Sequence, residues 1–110
     1  MRSNRLVDIH CHIIPGVDDG PEVEEEFLSL ARHLAGLGFS DIIATPHTKH
    51  DLYDISHKNI VDGVQKCNRL LKKNGIDVTV HPGAEYPLQP GLAKSSAELT
   101  TLNNSRYILL

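Results

Sequence analysis

Two histidines close to the start of the 110-residue chain, in the stretch "DIHCHIIPGVDDGP", are spaced so that they could bind one metal ion together. Side chains alternate between the two faces of a strand, so His10 and His12 should share a face with Asp8 while Cys11 points to the other. Neutral imidazole nitrogen is a common ligand of divalent transition metals, although a histidine is also often an ordinary hydrogen-bonded residue. Asp8, deeper in the strand, is expected to orient a ligating histidine.

Further metal-capable side chains follow the next two predicted strands. His47 ends the second strand, in "ATPH", and Glu85 follows the third, in "HPGAEYP". Parallel α/β folds gather the carboxyl ends of their strands at one edge, so we expect both residues to lie near the histidine pair. In the loop before the first predicted helix, Asp18 and Asp19 either add a carboxylate to the same edge or cap the helix. The sequence therefore predicts a metal site at this edge.

Short β-branched runs alternate with longer segments of helical period, and glycine or proline marks most junctions. This pattern predicts an α/β fold of βα repeats in one domain, residues 1–110. The predicted strands are 5–13, 40–47, 76–86 and 106–110, and the predicted helices are 21–38, 56–73 and, more weakly, 91–102. Pro21 suits the first turn of the first helix, and the glutamates after it match the positive end of the helix dipole. Asn74 and Gly75 predict the end of the second helix.

The overall composition restricts the functional classes. A formal net charge of -3, with lysine and arginine scattered along the chain, predicts no nucleic-acid partner and no anionic membrane surface. No stretch has the length of a membrane span and the first residues lack the apolar run of a signal peptide, so we expect a cytoplasmic protein without membrane insertion. Cys11 and Cys67 have no paired spacing, which predicts reduced thiols that pack in the interior.

The segments "DIHCHIIPGVDDGP", "ATPH", "GAEYPL" and "LNNSRYILL" resemble those of the bacterial tyrosine phosphatases of the polymerase-and-histidinol-phosphatase (PHP) superfamily, which occur with capsular and exopolysaccharide gene clusters. The resemblance implies a distorted (β/α)7 barrel, of which this chain is the amino-terminal portion, a truncated βαβαβαβ half-barrel. It implies a hydrolase that dephosphorylates the phosphotyrosine tail of a bacterial tyrosine kinase with metal-activated water. The implied cofactors are manganese or other divalent ions, up to three in the full site and fewer here.

The same resemblance assigns roles to individual residues. The implied metal ligands are His10, His12, Asp19, His47 and Glu85. Glu85 would be a bridging carboxylate. Independently of the resemblance, the loop positions of His50 and Tyr86 place them where they could approach a substrate, although exposed loop histidines and tyrosines at loop ends are also ordinary. No cysteine nucleophile is required, and neither cysteine is followed by an arginine at the spacing of a thiol-phosphatase loop.

Members of this family are considerably longer than the present chain. The later part of their pattern supplies a glutamate, a histidine and an aspartate–histidine pair as further ligands, and an arginine for the substrate phosphate. We therefore expect little or no phosphatase activity from the 110-residue chain alone. Its first and fourth strands would be unpaired edges, which favours oligomerisation. The alternatives are another His-x-His metallohydrolase of the amidohydrolase type, or a degenerate, non-catalytic fragment that binds metal.

Overall fold

A three-stranded parallel sheet with two helices forms the centre of the computed structural model, which describes residues 5–48, 55–87, 99–105 and 107–110. The elements follow in the order β1 (Leu6–Cys11), α1 (Glu24–Gly36), β2 (Phe39–Ala44), α2 (His57–Lys73) and β3 (Thr79–His81). Each helix connects two neighbouring strands of the β1–β2–β3 sheet. This confirms the predicted α/β fold of βα repeats. Within the described residues, no helix combines the length and apolar character needed to cross a bilayer.

The apolar core contains one stripe of each helix together with the central strands. In α2 the buried residues Ile60, Val64, Cys67 and Leu71 recur every three or four positions, as the helical period predicts. Phe27 of α1 is completely buried in the same core. Each large apolar side chain buried in this way contributes about 1.5–3 kcal/mol to folding. Cys67 is thus a packing residue, and burial raises the pKa of its thiol to about 12.

Both ends of α2 carry local signals, of which the sequence predicts the one at Asn74 and Gly75. Ser56 precedes the helix, and its side chain accepts a hydrogen bond from the backbone N–H of Asn59. At the other end Asn74 follows the last helical residue, and Gly75 has a φ of +67°. Glycine adopts this left-handed conformation without the steric strain of a Cβ atom. The helix therefore ends where its sequence disfavours continuation.

The first helix begins later than predicted, at Glu24 instead of Pro21. Pro21 belongs to the preceding loop, where its carbonyl accepts a hydrogen bond from the Gly16 N–H at 2.8 Å. The residue before the helix is Val23, and no side chain caps it, so Asp18 and Asp19 do not act as helix caps. The hydrogen bonds of the loop, which a helical pattern does not reveal, determine where α1 starts.

The predicted fourth strand, 106–110, is not a strand among the described residues. Leu109 forms an isolated parallel bridge with Glu85, and its carbonyl accepts a hydrogen bond from the Tyr86 N–H at 3.0 Å.

At β3, the side-chain amide of Asn68 donates to the Val80 carbonyl at 2.9 Å and accepts from the Val80 N–H at 2.8 Å. Because Asn68 occupies both backbone groups, another strand cannot pair with β3 at this point.

The helix predicted for 91–102 lies largely outside the described residues. The chain that follows forms a short 3₁₀ helix, Leu102–Asn104. Nearby, the Thr100 backbone N–H donates a hydrogen bond to the Tyr86 hydroxyl, which attaches this part of the chain to the core.

β1 forms the other edge of the sheet and ends earlier than predicted, at Cys11. The Cys11 N–H donates to the Thr45 hydroxyl at 2.9 Å instead of a backbone oxygen, so the regular ladder stops there. Three apolar side chains of β1 are about half exposed: Leu6 at 45%, Val7 at 51% and Ile9 at 55%. Among the described residues, the sheet therefore has one edge strand whose backbone is bound by a helix side chain at Val80 and one edge strand with half-exposed apolar side chains.

Candidate metal centre

The carboxyl ends of the three strands lie close together because the backbone continues to pair beyond them. The Glu85 N–H donates a hydrogen bond to the Pro46 carbonyl at 2.9 Å, next to a parallel bridge between His47 and Glu85. The Thr45 N–H donates to the Cys11 carbonyl at 2.8 Å, which joins the end of β1 to β2 in the same way. Side chains that follow different strands are therefore held side by side.

Glu85 lies between three histidines. Its Oε1 atom is 2.6 Å from His10 Nε2 and 3.7 Å from His12 Nε2, and its Oε2 atom is 2.6 Å from His47 Nδ1. The two carboxylate oxygens thus face different imidazoles, one on the β1 side and one on the β2 side. A carboxylate in this arrangement can serve two cations at once.

Asp19 approaches the same cluster from the loop before α1. Its Oδ1 atom is 2.9 Å from His12 Nδ1 and 3.6 Å from His47 Nε2, and 59% of the side chain is exposed. The hydrogen bond with His12, more than any other effect, holds the pKa of the Asp19 carboxyl below its usual range. Asp19 therefore stays ionised at neutral pH and available to a cation.

The structure brings together all five residues that the family resemblance implies as metal ligands. Potential ligand atoms lie within 4.8 Å of one another in two groups, which share one histidine: His10, His12, Glu85 and His12, Asp19, His47. The residues that supply these atoms come from three separate strand ends and one loop. This convergence is the arrangement expected of a polynuclear site.

The imidazole of His12 has two different sides. Its Nδ1 atom faces the carboxylates of Asp19 and Asp18, at 2.9 and 3.4 Å, whereas Nε2 is buried and has no hydrogen-bond partner among the described residues. Burial, the largest single effect, lowers the pKa of His12, but the hydrogen bond that its imidazole donates to Asp19 and the charges of Asp18 and Glu85 together outweigh burial and raise the pKa. A histidine that donates Nδ1–H to a carboxylate presents the Nε2 lone pair to a metal. The buried Nε2 therefore fits a metal ion.

Asp8 and Tyr86 lie close to the centre but contact other groups. Asp8 accepts a hydrogen bond from the backbone N–H of His10 at 3.0 Å, so it restrains the main chain of that histidine and not its ring. Tyr86, expected on the substrate side, is only 5% exposed and its hydroxyl accepts from the Thr100 backbone, which gives it a packing role. His50, the other expected substrate-side residue, lies outside the described residues.

Cys11, the last residue of β1, lies between His10 and His12 in the sequence but does not join either group of potential ligands. Burial, with the nearby charges of Asp8 and Asp18, raises the pKa of its thiol to about 12. At neutral pH the side chain is therefore a neutral thiol packed against the core, in line with the expectation from the sequence.

The sequence left two roles open for Asp18, that of a metal ligand and that of a helix cap. Its side chain is completely buried, and its two oxygens accept hydrogen bonds from the backbone N–H groups of Gly20 and His47. The Asp-Asp-Gly sequence suggests a local turn and explains the contact with Gly20. His47 lies 29 positions further along the chain than Asp18. No residue type in the sequence indicates their contact, because the donor is a backbone N–H group.

Comparison with known proteins shows the family of the chain. The family model described as "Capsular polysaccharide synthesis, CpsB/CapC" matches residues 6–110. Tyrosine-protein phosphatase YwqE of Bacillus subtilis is 33% identical over 107 residues, which are 96% of this chain and 42% of the relative. Tyrosine-protein phosphatase CpsB of Streptococcus pneumoniae is 31% identical over 107 residues, which are 96% of this chain and 44% of that relative.

A solved structure has the same fold over the shared part. It belongs to the crystal structures of YwqE from Bacillus subtilis and CpsB from Streptococcus pneumoniae, described as metal-dependent tyrosine phosphatases. The superposition has a TM-score of 0.90 and 33% sequence identity, and it covers 94% of this chain and 43% of the solved one. The chain thus spans less than half the length of the relatives it matches. With the family match over residues 6–110, the chain belongs to the CpsB/CapC family of capsular polysaccharide synthesis proteins.

Proposed function

We propose that this chain supplies the first part of the metal centre of a metal-dependent phosphotyrosine-protein phosphatase linked to capsule or exopolysaccharide regulation. The observation that carries the proposal is the position of Glu85, whose two carboxylate oxygens face His10 and His47 at 2.6 Å each. The names of the relatives, which are tyrosine-protein phosphatases, support the substrate class, and the family description supports the link to capsular polysaccharide synthesis. The proposed substrate is the phosphotyrosine tail of a bacterial tyrosine kinase in the cytoplasm.

In this proposal the five ligands hold manganese or a related divalent ion. Mixed imidazole and carboxylate donors suit manganese, iron and zinc, and the buried His12 Nε2 atom gains the partner that it lacks among the described residues. When bound, such ions lower the pKa of water towards neutrality and offset the negative charge of a phosphoryl group. Glu85 would bridge two ions, because its two oxygens face different histidines.

The residues of the chain itself would orient the ligands before any ion arrives. The carboxylates of Asp18 and Asp19 hold His12 Nδ1, so that His12 Nε2 is directed towards Glu85 Oε1 at 3.7 Å. Backbone pairing between the ends of β2 and β3 fixes the distance between His47 and Glu85. Little of the binding energy of the ions would therefore be spent on rearranging this part of the site.

The finer structural part of the proposal is that the parallel sheet is a segment of a distorted (β/α)7 barrel. In the phosphatases that the sequence resembles, later segments of the barrel supply further ligands and the arginine that holds the substrate phosphate. The present chain would then bind metal but turn over a phosphotyrosine peptide slowly or not at all. Its half-exposed β1 edge is where further strands of such a barrel would pair.

The proposal is tested by titrating Mn²⁺ into the 110-residue chain by calorimetry, alongside an assay on a phosphotyrosine peptide with full-length YwqE as reference. We expect saturable Mn²⁺ binding and a turnover far below that of YwqE. Absence of Mn²⁺ binding would contradict the metal centre. A turnover comparable to that of YwqE would contradict the expected inactivity while supporting the reaction class.

A further inference from the structure

Asp18 is a completely buried carboxylate that connects two of the segments carrying potential metal ligands. Its Oδ1 atom accepts a hydrogen bond from the Gly20 N–H at 3.0 Å. Its Oδ2 atom accepts a hydrogen bond from the His47 N–H at 3.1 Å and lies 3.4 Å from His12 Nδ1. One side chain thus contacts the loop before α1, the segment after β2 and the imidazole that follows β1.

We infer that Asp18 is a positioning residue for the metal centre, an inference that rests on the metal-binding function proposed above. Asp19, the neighbour of Asp18 in the chain, reaches His47 Nε2 at 3.6 Å. Because Asp18 binds the backbone of His47, it sets the distance between these two potential ligands. It does so without using its own oxygens as ligands, since both already accept backbone hydrogen bonds.

The burial of Asp18 argues for the same role. Burying a carboxylate is unfavourable unless hydrogen bonds compensate for the lost water, and two backbone N–H groups supply them here, while His12 Nδ1 lies 3.4 Å from Oδ2. If the only role of this position were to close the loop, a neutral side chain would suffice, and no carboxylate would have to be buried. The carboxylate is needed because both of its oxygens face donors.

The loop that carries Asp18 packs closely against the backbone of His12. At Gly20, the donor to Asp18 Oδ1, a Cβ atom would meet the backbone oxygen of His12 at far less than van der Waals distance. The absence of a side chain at this position therefore lets the loop lie directly on the main chain that follows β1. Asp18 and His12 are held together by this close approach.

The isosteric change Asp18→Asn tests the inference. An amide has one acceptor oxygen, so its NH₂ group would face either the Gly20 N–H or the His47 N–H, donor against donor. All five potential ligands remain in place. We expect the affinity for Mn²⁺ to fall about 10–100-fold, which is the usual effect of losing a residue that supports metal ligands. The absorption spectrum of bound Co²⁺ should also change, because it reports the geometry of the ligands.

The matched control is Asp62→Asn, which makes the same chemical change on the exposed side of α2. This variant should keep the Mn²⁺ affinity and the Co²⁺ spectrum of the original chain. If Asp18→Asn also keeps both while the original chain binds Mn²⁺, the inference is overturned. If the original chain itself fails to bind Mn²⁺, the proposed function fails instead, so the two failures are distinguishable.

A second measurement covers the case in which Asp18→Asn does not fold. In the unaltered chain, the amide protons of Gly20 and His47 both donate to Asp18, so their hydrogen exchange should slow when diamagnetic Zn²⁺ is added and the ligands become fixed. Amide protons in the middle of α2 serve as the reference. Exchange of both protons that is unchanged by bound Zn²⁺ would contradict the positioning role.

Discussion

Glu85 Oε2 lies 2.6 Å from His47 Nδ1, and the backbones of the same two residues form a parallel bridge. The short side-chain distance is therefore a consequence of strand pairing that continues past the regular sheet. Parallel pairing places residues of neighbouring strands at the same level, so their side chains meet when both follow the strand end. The geometry of the candidate metal centre accordingly depends on the sheet and not on the loops alone.

Replacement of Glu85 by glutamine should remove most of the affinity for metal. The amide keeps the size of the side chain but loses the charge and one acceptor oxygen, and Glu85 contacts three histidines. We expect the Mn²⁺ affinity to fall at least about 100-fold, more than the loss of a merely supporting residue causes. Titration calorimetry measures the change. Glu25→Gln, an exposed residue of α1, is the control and should bind as the original chain does.

Binding of Mn²⁺ should stabilise the fold, because the ligands come from separate strand ends and are brought together only in the folded chain. With free Mn²⁺ at a hundred times its Kd, linkage predicts a gain of about 2.7 kcal/mol in the free energy of unfolding. Thermal unfolding with and without Mn²⁺ measures the gain, and a chelator should reverse it. An equal gain in the variant His12→Ala would show that the ions bind elsewhere.

Leu71→Ala should destabilise the core by about 2–5 kcal/mol, because the Leu71 side chain is only 1% exposed between α2 and the sheet. Urea unfolding gives the change in the free energy of unfolding. Leu37→Ala removes the same atoms from a residue that is 57% exposed, so it should change stability by less than about 0.5 kcal/mol. Equal effects of the two variants would contradict the assigned core.

Asp41 should make stability depend on pH in the acidic range. Hydrogen bonds from Ser40 and His81, with the charge of Arg5, hold the pKa of Asp41 below 3.8 in the folded chain. The stabilisation is complete above pH 3.8 and is lost as the pH falls through the lower, folded pKa. Urea unfolding at a series of pH values should therefore show a smaller acid-induced loss in Asp41→Asn than in the original chain. Identical pH dependence of the two would contradict this role.

The sequence predicted the convergence of metal-capable residues because strand-end topology is a general rule. His47 and Glu85 each follow a parallel strand, and such strands end at one edge whatever the details of the loops. The start of α1 at Glu24 was not predicted, since the loop hydrogen bond between Gly16 and Pro21 involves only backbone atoms. Sequence patterns report side-chain preferences, and this boundary depends on main-chain contacts.

The packing of Tyr86 and the role of Asp18 could not be read from the sequence for a related reason. Both side chains bind backbone N–H groups of distant segments, those of Thr100 and His47. Every residue except proline has such a group, so no residue type marks the partner. The same argument applies to Asn68, whose amide binds the backbone of Val80 and excludes the predicted fourth strand from β3 at that point.

The contact of Asn68 with Val80 also limits how copies of the chain can associate. A sheet with two open edges can add molecules on both sides and grow into a fibre. Here a helix side chain already occupies the hydrogen-bonding groups of β3, whereas the β1 edge exposes Leu6, Val7 and Ile9. Pairing through β1 would join two copies and leave no equivalent edge at Val80 for a third. Among the residues that the structure describes, the amide of Asn68 thus leaves no free backbone group at Val80 for edge-to-edge pairing through β3.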